Sequence, residues 1–171
     1  MTDVTTQDVQ VPGFYEVQGR SIIKSKLTKA RVFIFPARTW AIMEDTLFRD
    51  FSTGAAVILH EMGRTYGGEF GSTMKKGKLD SEHAWGFARN IARDAGWGDV
   101  TVEGSGLSLK ITVRECVFCT GAGRLGSPSC HFLVGVARGI GEQLYGKNVV
   151  ARETRCTRAG DEACVIELSR S

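Results

Sequence analysis

The sequence predicts an α+β fold in which helices cover an antiparallel sheet. Segments with helical periodicity and segments with strand alternation are mixed without a strict β-α-β order. No repeat or linker divides the chain, and 171 residues suffice for one core of ordinary size. We therefore expect a disordered tail at 1–12, an N-terminal strand extension at 13–38 and a single domain at 39–171.

Four helices are predicted from apolar stripes that recur every three to four residues. In chain order they begin at Thr39, near Ser52, at the cap Asp80 or Ser81, and after the cap Ser129. Glycines at 96 and 146 end the third and fourth helices. The second helix is the weakest prediction, because Gly67, Gly68 and Gly71 lower helix propensity in its later turns.

Strands are predicted where β-branched and aromatic residues cluster or alternate with polar ones. The segments are 31–35, 100–102, 107–113, and a final hairpin made of 149–155 and 163–168. In the third segment Leu109, Ile111 and Val113 alternate with polar residues, so one face of the strand is expected to be buried. A glycine-rich loop at 120–129 leads into the fourth helix.

Composition and charge exclude several classes of protein. No apolar run reaches the roughly 18 to 20 residues that span a bilayer, and the polar start at 1–12 lacks the apolar core of a signal peptide. We therefore expect a cytoplasmic protein without a membrane partner. The net charge is +3, and the short basic run at 75–78 lacks the interleaved aromatic residues of a nucleic-acid surface.

The clearest functional signal is a set of four potential zinc ligands: Cys130, Glu153, Cys156 and Cys164. Zinc takes four ligands in a closed tetrahedron, usually thiolates with an occasional carboxylate. The hairpin turn brings three of them together, and Cys130 lies where the fourth helix begins, at an N-terminus expected to lower its pKa. Side chains alternate along a strand, so the chain must bend or bulge between Glu153 and Cys156. The alternative is that these cysteines are small buried hydrophobic residues.

Cys116 and Cys119 form a C-x-x-C whose role stays open on sequence grounds. The pair fits a redox couple, half of a metal site, a position near a ligand pocket, or two packed thiols. The G-x-G-x-x-G at 121–126 does not open a helix after a strand, which argues against a dinucleotide site. No catalytic set of residues is evident, so the sequence favours a binding protein over an enzyme.

The stretch from Cys130 to Leu168 resembles the 4-vinyl reductase domain family in its order of Cys, helix, Gly-Lys, Glu-x-x-Cys, Gly-Asp and Cys. That family includes sensor domains of phenol-responsive transcription activators, a bacteriochlorophyll-biosynthesis protein and archaeal proteins thought to bind hydrocarbons. The resemblance implies a dimeric ligand-binding domain with a fold like that of the TRAPP vesicle-tethering subunits. It also implies a structural zinc, since the zinc ligands of the phenol sensors match the four residues named above. The histidine and tryptophan that hold phenol in those sensors have no secure counterpart here.

Four residues are predicted to line an apolar pocket, although core packing explains each equally well: Trp85, Leu109, Ile111 and Phe118. We therefore expect a cytoplasmic, zinc-containing dimer that binds or senses a small hydrophobic or aromatic molecule and signals through a protein partner. The alternatives are an accessory protein or enzyme of tetrapyrrole metabolism, and an assembly protein with a filled core.

Overall fold

The computed structural model describes residues 15–19, 22–26, 29–120, 129–146 and 148–171. Its strands are β1 (Tyr15–Gln18), β2 (Ile22–Ser25), β3 (Arg31–Val32), β4 (Asp99–Ser105), β5 (Ser108–Arg114), β6 (Val149–Arg155) and β7 (Cys164–Arg170). Its helices are α1 (Ala37–Phe51), α2 (Gly54–Lys76), α3 (Ser81–Asp94) and α4 (His131–Tyr145), with single 3₁₀ turns at Val117–Cys119 and Thr157–Ala159. The chain divides into two compact units, Met1–Ile34 and Phe35–Ser171.

The first unit contains a three-stranded antiparallel sheet in the order β1-β2-β3. Tyr15 lies opposite Ser25, and Ile23 lies opposite Val32. The strand predicted at 31–35 is present but ends at Val32. The strands β1 and β2 lie within the segment predicted as a strand extension at 13–38, although no bounds were predicted for them. The tail predicted at 1–12 lies outside the described residues.

The second unit is built on a four-stranded antiparallel sheet in the order β4-β5-β7-β6. The α+β class with antiparallel pairing is therefore confirmed. Leu109, Ile111 and Val113 on the central strand β5 are buried, as their alternation predicts. Both strands of the final hairpin form, and the register between them shifts between Glu153 and Arg155. The shift is the bulge that the spacing of the proposed ligands requires.

The helix boundaries correct two details of the sequence prediction. The side chain of Asp80 accepts a hydrogen bond from the backbone N–H of His83 and so caps α3 as expected. The residue at the N-cap of α4 is Cys130 and not Ser129. In addition, α2 continues without a break through its glycines to Lys76. Among the described residues, no helix combines the length and the apolar character that a membrane crossing requires.

The glycines at which α2 and α4 meet explain why α2 does not break. This glycine seam consists of Gly63, Gly67, Gly135 and Gly139. Gly67 packs against α4 so closely that an added Cβ would lie 2.2 Å from the carbonyl oxygen of Val136. Conversely, a Cβ at Gly135 of α4 would lie 2.0 Å from the carbonyl oxygen of His60. Gly63 and Gly139 have equally close backbone neighbours on the opposite helix. The glycines therefore allow backbone-to-backbone packing, which compensates for their low helix propensity.

Candidate metal centre and adjoining cavity

All five cysteines of the chain meet in one cluster. The turn after β5 contributes Cys116 and Cys119, the start of α4 contributes Cys130, and the final hairpin contributes Cys156 and Cys164. The sulfur of Cys119 is 3.1 Å from that of Cys130, 3.5 Å from that of Cys164 and 3.8 Å from that of Cys156. The sulfur of Cys130 is 3.5 Å from that of Cys164 and 3.8 Å from that of Cys156. The Cys156 and Cys164 sulfurs are 3.9 Å apart.

These distances suit a metal ion. A tetrahedral ion with metal–sulfur bonds of about 2.3 Å places its sulfur ligands about 3.8 Å apart. Disulfide-bonded sulfurs lie only about 2 Å apart, and all five cysteines are free. Two groups of four potential ligands have donor atoms within 4.8 Å of one another: Cys116, Cys119, Cys130 and Cys164, and Cys130, Glu153, Cys156 and Cys164. The second group is the quartet predicted from the sequence, and the cluster could hold a metal ion.

Glu153 adds a carboxylate to the edge of the cluster. Its Oε2 accepts the backbone N–H of Cys130 at 2.8 Å. Its Oε1 is buried and has no hydrogen-bond partner within the part of the chain that the structure describes. Burial raises the pKa of this carboxyl to about 8. A buried oxygen without a partner is costly, and a bound cation or a proton would satisfy it.

The pKa values of the cluster thiols shift in different directions. Hydrogen bonds from Cys119 and Cys130 lower the pKa of Cys156 to about 5, and hydrogen bonds from neighbouring thiols, with Cys116 first, also lower the pKa of Cys164. Contacts with Cys116 and the other thiols, together with burial, raise the pKa of Cys130. The position of Cys130 at a helix N-terminus predicted a lowered pKa, whereas the neighbouring thiols and burial shift this pKa upward. Metal binding requires thiolates, so it would release protons here.

The turn that follows Cys156 is fixed by two interactions. The carboxylate of Asp161 accepts the backbone N–H of Cys156 at 2.8 Å. The guanidinium of Arg158 donates to the carboxylate of Glu44 at 2.5 Å, and both side chains are only 5% exposed. Burial raises the pKa of Glu44 to about 7, although Arg158 acts against this shift. The pair joins α1 to the turn between two cluster cysteines.

An apolar cavity lies beside the cluster, enclosed by side chains from α2, α3, β4, β5, α4 and β7 and by Trp97 after α3. The volume that the centre of a water-sized sphere can occupy in this cavity is about 70 Å³. One water needs roughly 10–15 Å³ on the same measure. Within the described ranges, polar side chains in its wall are few and include Arg89 and Tyr66. The indole N–H of Trp85, also in the wall, donates to the hydroxyl of Tyr145 at 3.1 Å.

The four residues predicted to line a pocket occupy two places. The side chains of Trp85 and Ile111 form part of the cavity wall. Leu109 and Phe118 are buried in the core outside that wall. Trp97 also lines the wall, as does the inward stripe of α4, which includes Leu133 and Val136 among other residues; neither was predicted from the sequence. The spacing of that stripe marks it as buried, but spacing alone does not distinguish a cavity wall from a filled core.

The cavity and the cysteine cluster share a structural connection through the turn that carries Cys119. The backbone N–H of Val117 donates to the carbonyl of Trp97 at 3.0 Å. The ring of Phe118 meets that of Trp97 edge-on, with ring centres 5.2 Å apart. Residues 117–119 therefore touch the cavity wall on one side and the cluster on the other.

Comparison with known proteins identifies the C-terminal part of the chain. Residues 109–170 match the model of the V4R domain. This region of the chain is therefore similar to V4R domains. The cysteine cluster and the final hairpin lie largely within this V4R region, so the family resemblance that the sequence suggests is confirmed.

Two uncharacterized proteins of Methanocaldococcus jannaschii are relatives of the V4R region. One is 33% identical over 60 residues, which are 35% of this chain and 37% of the relative. The other is 33% identical over 54 residues, which are 32% of this chain and 31% of the relative. The chain thus spans about a third of the length of the curated relatives it matches.

Three solved structures resemble this chain in fold. The phenol-responsive sensory domain of the transcription activator PoxR, solved with phenol, has a TM-score of 0.73 at 17% identity and covers 92% of this chain and 85% of its own. A vinyl-4-reductase family protein from M. jannaschii has a TM-score of 0.57 at 19% identity, covering 82% and 84%. A trafficking protein particle complex subunit 3 from Naegleria fowleri, covalently bound to palmitic acid, has the same TM-score and identity and covers 79% and 92%.

Proposed function

We propose that this protein is a sensory domain that binds a small hydrophobic or aromatic molecule in its apolar cavity. The cavity is the observation that carries this proposal, because proteins rarely leave space for several waters between apolar side chains. The likeness in fold to the PoxR sensory domain supports a sensing role. The apolar lining of the cavity supports binding rather than turnover as its role.

The cavity wall favours an apolar ligand of modest size. Aromatic rings of Phe70, Trp85 and Trp97 line it, and the alkyl side chains of α4 and the sheet complete it. Burial of apolar ligand surface against such a wall contributes roughly 25 cal/mol per Å². Arg89 and Tyr66 bring polar side-chain groups to this wall.

We further propose that the cysteine cluster holds one structural zinc ion. Cys130, Cys156 and Cys164 supply three thiolates, and the sequence predicts Glu153 as the fourth ligand. A zinc ion with four protein ligands has no open position for a substrate, so it supplies cross-linking and no reaction. It would fix the final hairpin to the start of α4, whose later residues form one side of the cavity.

We also propose a cytoplasmic homodimer that signals to a protein partner. Apolar side chains on α1 and α2 are exposed in the single chain, including Ile42, Val57 and Met62. A second copy that covers them would remove apolar surface from water. A reducing compartment suits five cysteines that form no disulfide.

Ligand binding is tested by native mass spectrometry of freshly purified protein and by titration with phenol and toluene, followed by tryptophan fluorescence. Trp85 and Trp97 lie in the wall, so a bound ligand should change their emission. Ala88→Leu fills part of the cavity and should weaken binding at least tenfold. Ala56→Leu, on a helix surface outside the wall, is the matched control and should bind as the wild type does.

Equal binding by both alanine variants would contradict the cavity as the ligand site. A co-purified tetrapyrrole, recognised by its strong visible absorption, would favour the role in tetrapyrrole metabolism instead. Failure of every apolar probe to bind, with no co-purified molecule, would favour an assembly protein with a filled core.

A further inference from the structure

We infer that Cys119 is the fourth ligand of the zinc ion, which makes the site a four-thiolate centre with Cys130, Cys156 and Cys164. Glu153 then stays outside the coordination shell and orients the start of α4 by accepting the N–H of Cys130. This inference deepens the zinc site proposed above and rests on that part of the proposed function.

The sulfur geometry carries the assignment. All six distances among these four sulfurs lie between 3.1 and 3.9 Å, near the roughly 3.8 Å edge of a zinc–thiolate tetrahedron. Cys119 alone contributes three of these edges. Glu153 uses Oε2 to accept the N–H of Cys130 at 2.8 Å, and this bond ties the carboxylate to the backbone of α4. Its other oxygen, Oε1, is buried without a partner among the described residues, and a proton there would satisfy it in place of the ion.

The same distances favour a single ion over a two-metal cluster. The two groups of four potential ligands share Cys130 and Cys164. Two ions that share these two thiolates as bridges would need six donors, and the five cysteines and Glu153 are six. In such a cluster Cys119 and Cys156 would bind different ions, and their sulfurs would lie more than about 5 Å apart. They are 3.8 Å apart, so both belong to one ion.

Cys116 is the cysteine that remains outside the shell. Its sulfur is 4.0 Å from that of Cys130 and is buried, and its carbonyl accepts the N–H of Cys119 at 3.0 Å. Cys116 therefore shapes the 3₁₀ turn, while Cys119 reaches the ion. Ligation of Cys119 would hold Phe118 against Trp97 in the cavity wall, which connects the metal to the shape of the cavity.

X-ray absorption at the zinc edge tests the assignment, because zinc–sulfur bonds of about 2.3 Å are distinct from zinc–oxygen bonds of about 2.0–2.2 Å. The zinc-loaded full chain should show four sulfurs and no oxygen or nitrogen. Cys119→Ser should show three sulfurs and one lighter ligand. Cys116→Ser, three residues away on the same turn, is the matched control and should keep four sulfurs, as should Glu153→Gln.

A wild-type spectrum of three sulfurs and one oxygen would overturn the inference while leaving the zinc site of the proposed function intact. Four sulfurs in Cys119→Ser, or two zinc ions per chain by native mass spectrometry, would overturn it as well. A wild-type chain that binds no zinc would overturn both metal proposals, whereas the ligand titration tests the sensory role separately. If a variant does not fold, the wild-type spectrum still separates four sulfurs from three sulfurs and one oxygen.

Discussion

Replacing Gly67 with alanine should destabilise the protein, although alanine is the better helix former. The added Cβ would lie 2.2 Å from the carbonyl oxygen of Val136 and 2.8 Å from its Cα. Both atoms belong to the backbone of α4 and cannot rotate away, so the two helices must separate by about 1 Å. Overpacking of this kind costs about 3 kcal/mol at the upper end of its usual range, and higher helix propensity returns about 1 kcal/mol.

The expected net loss for Gly67→Ala is about 2 kcal/mol, which lowers Tm by about 4–8 °C in a protein of this size. Gly68→Ala is the matched control, since its nearest neighbour would be the Gln143 side-chain nitrogen at 3.9 Å. It should gain up to about 1 kcal/mol from helix propensity alone. Urea unfolding and differential scanning fluorimetry of the three proteins measure both effects. If Gly67→Ala is as stable as Gly68→Ala, the close packing of α2 on α4 is wrong.

Three further predictions concern the metal in the cluster, the buried Glu44–Arg158 pair and the cap of α3. Removal of zinc by a chelator should lower Tm, and added zinc should restore it; an unchanged Tm would contradict a structural metal. Glu44→Ala leaves Arg158 buried without this carboxylate and should cost about 3–5 kcal/mol in urea unfolding, whereas a loss below about 1 kcal/mol would contradict a buried pair. Asp80→Ala removes the cap of α3 and should lower Tm, while Asp80→Asn should retain most of the capping. Because the N–H of His83 lowers the pKa of Asp80, the cap's contribution is present above pH 3.8 and is lost as pH falls through the lower folded pKa. The Tm difference between wild type and Asp80→Ala should therefore narrow in acid, and a constant difference would contradict the role of the charge.

The parts of the fold that depend only on residues close in sequence were predictable. The cap at Asp80 and the alternation in β5 act within a few residues, so their patterns are complete in the local sequence. The bulge after Glu153 was predictable because the positions of the proposed ligands require it. The proximity of Cys156 and Cys164 was predictable because they lie on either side of the turn in the final hairpin.

Other features depend on contacts between distant segments. Glycines in α2 look like helix breakers until their partner is known, and that partner is α4, about 70 residues later in the chain. The place of Cys119 depends on the path of the turn after β5, which its C-x-x-C pattern leaves open. The cavity wall combines six helices and strands, so no local pattern could separate Trp97 from ordinary core residues.

The glycine seam also limits how the protein can respond to a ligand. Because their backbones are in direct contact, α2 and α4 cannot slide past each other and should behave as one rigid body. The cavity is bounded on another side by α3, which packs mainly on β4 and has few contacts with α2. Any rearrangement on ligand binding is therefore expected in α3 and the Trp97 segment that follows it, and amide hydrogen exchange should change there first.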